Sequence, residues 1–144
     1  MLIKLDKGAT MPTKAYSTDA GFDIYSREDK IVPAKGSAIF DTGVHIGLPK
    51  IEINGQTILT AGMLKSKSGL NVKHSITSEG VVDIGFSGSI KVKLYNHGNR
   101  GYEVKKGDKI SQLCIVPILP VGLELVDKFV GGERGDNGFG SSGR

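Results

Sequence analysis

Ser89-Ile-Lys-Val-Lys-Leu94 is the stretch of sequence that decides the fold. Its apolar side chains recur at every second position, so Ile90, Val92 and Leu94 lie on one side of the backbone and the two lysines lie on the other. Strict alternation of this kind predicts a β-strand with one face against the core and the other in water.

The rest of the chain repeats the pattern of short apolar runs separated by turn residues. Val44–Leu48 and Ile110–Ile118 are two further runs, and 21 glycines punctuate the sequence. Only one segment favours a helix, which is short, begins near Ser68 and runs toward His74. Many short strands with a single short helix predict an all-β fold, a distorted jelly-roll β-barrel.

Length, charge and cysteine content narrow the class of protein. A chain of 144 residues suits one domain, with a core over residues 1–126 and a flexible tail over residues 127–144. Cys114 is the only cysteine, so an intramolecular disulfide is excluded. There is no membrane-spanning apolar run and no secretion signal, so we expect a cytoplasmic protein, or a host-cell cytoplasmic one if it is phage-encoded. The net charge is +4, and the lysines are spread along the chain rather than clustered. This distribution suits a small anionic ligand, and we expect neither a membrane partner nor a specific nucleic-acid partner.

The tail has an unusual composition. Arg134-Gly-Asp-Asn-Gly-Phe-Gly-Ser-Ser-Gly-Arg144 holds one large aromatic among glycines and hydroxyls, too little apolar surface to fold alone. One interpretation is a disordered end. The other is a flap in which Arg134, Ser141 and Ser142 hold phosphate oxygens and Phe139 stacks on a base.

The segment Lys65–Leu70 lies just before the predicted helix. A helix N-terminus presents free amides and a partial positive charge, which together favour an anion. Lys67 adds charge and Ser68 adds a hydroxyl. The alternative is that a serine of this segment caps the helix and the lysines are solvated.

Three further segments place polar side chains among apolar neighbours. Gly80–Gly88 is predicted to be a β-hairpin in which Asp83 is either a general base or a turn-capping residue. Gln112 follows a Lys-Gly-Asp turn within a buried strand, where its amide needs either a backbone partner or a phosphate oxygen. Asp23 lies in a strand and points away from Phe22 and Ile24.

In order along the chain, five segments resemble the five motifs of the trimeric deoxyuridine triphosphatase (dUTPase) family. They are Ala20–Ser26, Ser66–Leu70, Gly80–Gly88, Lys106–Leu113 and Arg134–Gly143. The resemblance implies hydrolysis of dUTP to dUMP and pyrophosphate, with Mg²⁺ on the triphosphate. It also implies a jelly-roll homotrimer with active sites between subunits and with each C-terminal tail closing over a neighbour's site.

The same resemblance assigns roles to individual residues. Asp83 matches the general base, and Asp23 matches an acidic residue that reaches the metal through water. The residues implied for the phosphates are Lys67, Ser68, Gly69, Gln112, Arg134, Ser141 and Ser142. Those implied for uracil and deoxyribose are Thr77, Val82, Asp83, Phe86, Lys91 and Phe139. Several positions depart from the family pattern. Lys67 and Lys109 stand where arginine is usual, and Phe86 stands where tyrosine is usual. The other departures are Ser66, Gly85, Ser87 and Ser142.

Two other functions remain open from the sequence. A dCTP deaminase shares the fold and the trimer but needs an additional catalytic glutamate, for which Glu79 is the only candidate near the third motif. A trimeric regulatory or interaction protein with this fold would most readily use Lys50–Thr60, where Asn54-Gly55 predicts a hairpin turn.

Overall fold

The structure is a computed structural model that describes residues 1–128 and residue 131. Twelve strands and one helix follow one another within these residues. They are β1 (Leu2–Leu5), β2 (Gly21–Tyr25), β3 (Lys30–Val32), β4 (Ser37–Asp41), β5 (Val44–Gly47), β6 (Ile51–Ile53), β7 (Gln56–Lys65), α1 (Ser68–His74), β8 (Ile76–Thr77), β9 (Glu79–Val82), β10 (Lys91–Asn96), β11 (Tyr102–Val104) and β12 (Lys109–Ile118). The predicted all-β fold with one short helix is thereby confirmed.

The strand pairs of the described residues are all antiparallel and form four small sheets. The largest sheet has the order β2-β12-β7-β6, with β9 also paired to β7. A second sheet has the order β4-β10-β8, and the pairs β1-β5 and β11-β3 complete the set. The predicted turn at Asn54-Gly55 joins β6 to β7, and both residues have positive φ values of 51° and 76°. That geometry is the reason for an Asn-Gly pair at this point.

The long strand β12 organises the largest sheet because it is paired on both sides. Gln112 lies opposite Asp23 on β2 and opposite Lys65 on β7, and Lys65 in turn lies opposite Glu79 on β9. These four residues form one polar row across the sheet. Since side chains alternate along a strand, the next row points the other way, and it contains the buried Leu113.

The core lies where the apolar faces of the sheets meet. The alternation predicted from Ser89–Leu94 is confirmed, because Ile90, Val92 and Leu94 are buried and both lysines are exposed. The buried cluster draws on most strands: Ile24, Val32, Phe40, Val44, Ile46, Leu64, Ile76, Val82, Ile90, Val92, Leu94, Val104, Ile110 and Leu113.

The helix begins and ends where the sequence predicts. The backbone N–H of Asn71 donates to the carbonyl of Lys67, the first helical bond, and Ser75 ends the helix with a left-handed φ of 55°. Lys67 is the N-cap residue and makes no side-chain cap, so the alternative of a capping serine is wrong. In the described part of the chain, no helix is long and apolar enough to cross a membrane.

The prediction of a hairpin over Gly80–Gly88 is wrong in its pairing. β9 pairs with β7, whereas β10 pairs with β4 and β8. Residues 83–90 therefore form a loop that passes from one sheet to another. The different pairing partners of β9 and β10 lie far away in sequence, so the local sequence could not predict them.

Regular structure within the described residues ends at Ile118. Beyond it, the large side chains alternate and face solvent: Leu119, Val121, Leu123 and Leu125 are 77%, 79%, 102% and 99% exposed. The predicted end of the core at residue 126 stays a prediction. The fifth motif, over 134–143, lies outside the described residues.

Candidate active site

A pocket of about 380 Å³ lies between β9, the loop 83–90 and the start of β10. It is lined by Leu64, Gly80, Val81, Val82, Asp83, Phe86, Ser89, Ile90 and Lys91. Most of this lining is apolar, and the polar groups lie on the loop and on β10. Four residues predicted to contact uracil and deoxyribose meet here, namely Val82, Asp83, Phe86 and Lys91.

A tight turn presents the carboxylate and the aromatic ring to this pocket. The backbone N–H of Phe86 donates to the carbonyl of Asp83 at 3.1 Å, which closes the turn. Gly85 occupies its third position with a φ of 93°, a conformation that a side chain disfavours. The Asp83 carboxylate is exposed, so it is free to contact a ligand in the pocket.

The ring of Phe86 packs over Gly88. A Cβ atom added at Gly88 would lie 2.7 Å from Cζ of Phe86, too close for contact without displacement of the ring. Phe86 is still 48% exposed, so part of the ring remains available to a ligand. Gly88 thus leaves room for the ring at the edge of the pocket.

A second polar cluster surrounds Asp23 on the largest sheet. The Nζ atom of Lys67 donates to Oδ1 of Asp23 at 2.6 Å, and Nζ of Lys109 donates to Oδ2 at 2.7 Å. The side-chain amide of Gln112 is 3.4 Å from Oδ1, a weak contact. Gln112 therefore has a carboxylate partner, which neither sequence interpretation anticipated.

Charge explains why a buried carboxylate is tolerated at this position. The Asp23 side chain is only 5% exposed. Burial opposes its ionisation, but hydrogen bonds from Lys109 and Lys67 outweigh that effect and hold the pKa of Asp23 below its ordinary value. Two lysines against one carboxylate leave the cluster with one net positive charge, which suits an anionic ligand.

Asp23→Asn is expected to destabilise the fold by about 2 kcal/mol at pH 7, the range for charged hydrogen bonds. Because the pKa of Asp23 is lowered by folding, its contribution is present above pH ~4 and is lost as pH falls through the folded-state pKa. Urea unfolding at pH 7 and at pH 3, at one protein concentration, measures the difference. The exposed Asp127→Asn is the control, and an equal deficit at both pH values would contradict the assignment.

The first turn of α1 lies beside this cluster. Ser68 and Gly69 are exposed, and the first amides of the helix have no helical acceptor. Lys67 is half-buried against Asp23, so the alternative in which the lysines of this segment are solvated is wrong for this residue. The structure thus brings Lys67, Ser68, Gly69, Gln112 and Asp23 to one region.

The remaining predicted residues lie elsewhere. Thr77 is on β8, where its hydroxyl contacts Nε2 of His97 at 2.8 Å, and it does not line the pocket. Arg134, Phe139, Ser141 and Ser142 lie outside the described residues. Lys109 is a further residue of the Asp23 cluster that the motif resemblance did not assign to the site, although it lies in the fourth motif.

The pocket and the Asp23 cluster are separated within one chain. Asp83 is four residues beyond Glu79 on β9, which corresponds to roughly 13 Å along the strand. From Glu79 to Asp23 the polar row crosses three strand spacings of about 4.8 Å each. A general base must reach its water within about 3 Å. Within one chain the pocket and the Asp23 cluster are therefore two separate part-sites.

Glu79, the residue that a deaminase would need, does not enter the pocket. It is bound to Lys65 at 2.9 Å, and its side chain is 65% exposed at the far end of β9. The described residues therefore place one carboxylate, Asp83, in the pocket lining.

The described residues contain no group of three or more His, Cys, Asp or Glu side chains placed to hold a metal ion. Both oxygens of Asp23 already accept hydrogen bonds from lysines, which disfavours direct metal ligation. Hard cations such as Mg²⁺ commonly bind through substrate phosphates and keep several waters. This arrangement fits a metal that arrives with a phosphate ligand.

The fold and the site together define a class: an all-β protein with a nucleoside-sized pocket and a separate cationic region for an anion. Sequence comparison specifies the class further. The model of the dUTPase family matches residues 7–143, nearly the whole chain. The chain belongs to the dUTPase family, and the prediction from the five motifs is confirmed at this level.

Individual relatives agree with the family match. The deoxyuridine 5'-triphosphate nucleotidohydrolase of Clostridium acetobutylicum is 39% identical over 143 residues, covering 97% of this chain and 93% of the relative. The enzyme of the same name from Saccharomyces cerevisiae is 39% identical over 137 residues, covering 94% and 88%. These relatives also confirm the predicted enzyme class, a nucleotide hydrolase.

Solved structures extend the likeness to the fold. The dUTPase of Staphylococcus bacteriophage 80alpha, solved with dUpNHpp, superposes with a TM-score of 0.85 at 31% identity and covers 99% of this chain and 98% of its own. A mutant dUTPase from phage phi11, described with a structural Mg(II) ion, has a TM-score of 0.76 at 26% identity, covering 90% and 98%.

Proposed function

We propose that the chain hydrolyses dUTP to dUMP and pyrophosphate, with Asp83 as the general base that activates the attacking water. The observation that carries this proposal is the placement of Asp83 and Phe86 on one tight turn at the edge of an apolar pocket. A carboxylate there is within reach of the sugar-phosphate end of a nucleotide whose base fills the pocket.

Base recognition follows from the free edge of β9. Within the described chain, β9 pairs only with β7, so the backbone groups on its other edge face the pocket. Their N–H and C=O groups can pair with the O and N–H edge of uracil. A site built on such bonds can reject a base with the wrong pattern by roughly 10⁴.

The chemical step needs a proton acceptor and a sink for negative charge. Asp83 takes a proton from the water, whose oxygen attacks the α-phosphorus, and the bond to the bridging oxygen breaks to release pyrophosphate. Lys67, the first amides of α1 and Gln112 are proposed to bind the phosphates, together with Arg134, Ser141 and Ser142 of the tail. Mg²⁺, held mainly through the triphosphate, would neutralise phosphate charge. Asp23 acts indirectly by orienting Lys67 and Lys109.

A homotrimer with shared sites is part of the proposal. The two part-sites of one chain are separate, so a neighbouring chain is proposed to complete each of them. The alternating exposed side chains from Leu119 to Leu125 have the pattern of a half-buried strand, which supports their burial against another chain. The tail over 127–144 would then close over a neighbour's pocket. The cytoplasmic location stays a prediction.

Turnover assays decide the proposal. Purified protein with Mg²⁺ is expected to release pyrophosphate from dUTP and to prefer dUTP over UTP, dTTP and dCTP. Absence of pyrophosphate release from dUTP, by a folded protein, would reject the proposed function. Release of ammonia from dCTP would favour the deaminase instead.

Phe86→Ala is expected to weaken discrimination against UTP by about tenfold or more, because the ring that excludes the 2'-hydroxyl is lost. Discrimination against dCTP should change little, since the ring faces the sugar. The matched control is Phe86→Tyr, which keeps the ring and should keep the selectivity. The measurement is the ratio of kcat/KM values, and equal losses against UTP and dCTP would contradict the role.

A further inference from the structure

The loop that carries Asp83 and Phe86 is tied to β5 by a histidine. Nδ1 of His45 lies 2.8 Å from the carbonyl oxygen of Ser87, and Nε2 lies 3.1 Å from Oδ1 of Asp6. A carbonyl and a carboxylate oxygen only accept hydrogen bonds, so both ring nitrogens must donate. Neutral imidazole has one N–H, and therefore both bonds form together only when His45 is an imidazolium.

A second tie holds the loop two residues further on. The hydroxyl of Ser89 donates to Oδ1 of Asp41 and accepts the backbone N–H of Gly43 at 3.0 Å. The guanidinium of Arg27 lies 3.0 Å from the other oxygen of Asp41. Hydrogen bonding from Ser89 lowers the pKa of Asp41 to about 2, so this tie keeps its charge at all ordinary pH values. Only the His45 tie changes charge near neutrality.

We propose that His45 is a positioning residue, which Asp6 holds as an imidazolium and which fixes the loop bearing Asp83 and Phe86. The loop is released when the His45 ring loses a proton. The proposal rests on the assigned roles of Asp83 and Phe86. Ser87 directly follows Phe86, so movement of its carbonyl moves the ring and the turn. None of the five family motifs contains His45, which lies on β5.

The charges around His45 favour the imidazolium. The Ser87 carbonyl and the Asp6 carboxylate raise the pKa of His45, while desolvation of the ring and, after it, the charge of Lys4, its register partner on β1, act against them. Lys4 and Arg27 each lie 3.9 Å from the Asp6 carboxylate and share its charge. Because the folded-state pKa is raised, the tie is complete below pH ~6.5 and is lost as pH rises through that higher pKa.

Two measurements test this on the full-length protein. The first is NMR of ¹⁵N-labelled histidine, which reports the protonation of the His45 ring directly. The three histidines are assigned with His45→Gln and His74→Gln. The amide of Gly88, next to the Ser87 carbonyl, should shift with the same apparent pKa as His45. Asp6→Asn should lower that pKa.

The second measurement is the pH profile of dUTP hydrolysis. Wild-type kcat is expected to fall on the alkaline side with the pKa that NMR assigns to His45. His45→Gln should be about tenfold slower at pH 6, the scale of one lost hydrogen bond, and should lack that alkaline step. The control His74→Gln, at an exposed position, should keep the wild-type profile. Ionisation of the uracil base belongs to the substrate, so its effect on the profile remains in every variant.

The outcomes separate this inference from the proposed function. A His45 ring that is neutral at pH 6.5 overturns the positioning role. A Gly88 amide whose chemical shift does not change as His45 titrates also overturns it. An alkaline step with the pKa of His45 that persists in His45→Gln also overturns it. If dUTP is not hydrolysed at all, the proposed function fails, while the two NMR titrations still decide whether His45 holds the loop.

Discussion

Asp83→Asn is expected to lower kcat for dUTP by about 10² or more, the usual worth of a general base. The substitution keeps the shape of the side chain and removes the proton acceptor. Asp83 is exposed and lies on a turn closed by backbone bonds, so the fold and the pocket should be retained. Binding of dUpNHpp, measured by calorimetry, should change little while turnover falls.

The control for this variant is Glu79→Gln, at the next carboxylate along the same segment. Glu79 pairs with Lys65 at 2.9 Å and does not line the pocket, so its activity on dUTP should stay near that of the wild type. Near wild-type turnover by purified Asp83→Asn would remove the assigned base. A large loss in Glu79→Gln instead would transfer the role to the other carboxylate.

The strands could be predicted from local sequence because apolar and polar side chains alternate within a few neighbouring positions. The alternation in Ser89–Leu94 places three buried residues correctly, and the glycine and asparagine at 54–55 predict their own turn. The helix at Ser68–His74 was located because no other segment favoured one. Each of these features depends on residues within a few positions of one another.

Partners across the chain could not be predicted in this way. The hairpin assigned to Gly80–Gly88 is wrong, because β9 and β10 join different sheets and pairing across sheets leaves no local signal. The carboxylate of Asp23 and the ammonium group of Lys67 are 44 positions apart in sequence, yet their hydrogen bond is 2.6 Å. Only the order of the strands in the sheet brings them together.

The five motifs supplied the candidate residues but not their geometry within one chain. Val82, Asp83, Phe86 and Lys91 meet in the pocket because β9, its loop and β10 are continuous. Thr77 does not, since β8 pairs beside β10 and turns its hydroxyl toward His97. A motif identifies residues used in the complete enzyme, and part of that enzyme belongs to a neighbouring chain in the proposed trimer.

Removal of residues 131–144 is expected to reduce dUTP hydrolysis severely, by about 10² or more, if the tail supplies cationic and stacking groups to the closed site. The deletion takes away Arg134, Phe139 and the two serines, and it leaves every described strand intact. The shortened chain should fold and keep the molecular mass of a trimer in light scattering. A truncated protein with full activity would show that the fifth motif is dispensable.

Mixing two inactive proteins tests the shared site directly. Asp83→Asn chains carry an intact tail, and truncated chains carry an intact Asp83. When the two are unfolded and refolded together, some mixed trimers combine the base of one chain with the tail of another, so activity should rise well above that of either parent. The control is the same refolding of each protein alone. If mass spectrometry detects mixed trimers and they stay inactive, each tail serves the Asp83 of its own chain. Only in that case would every site in the mixture lack either an intact Asp83 or an intact tail.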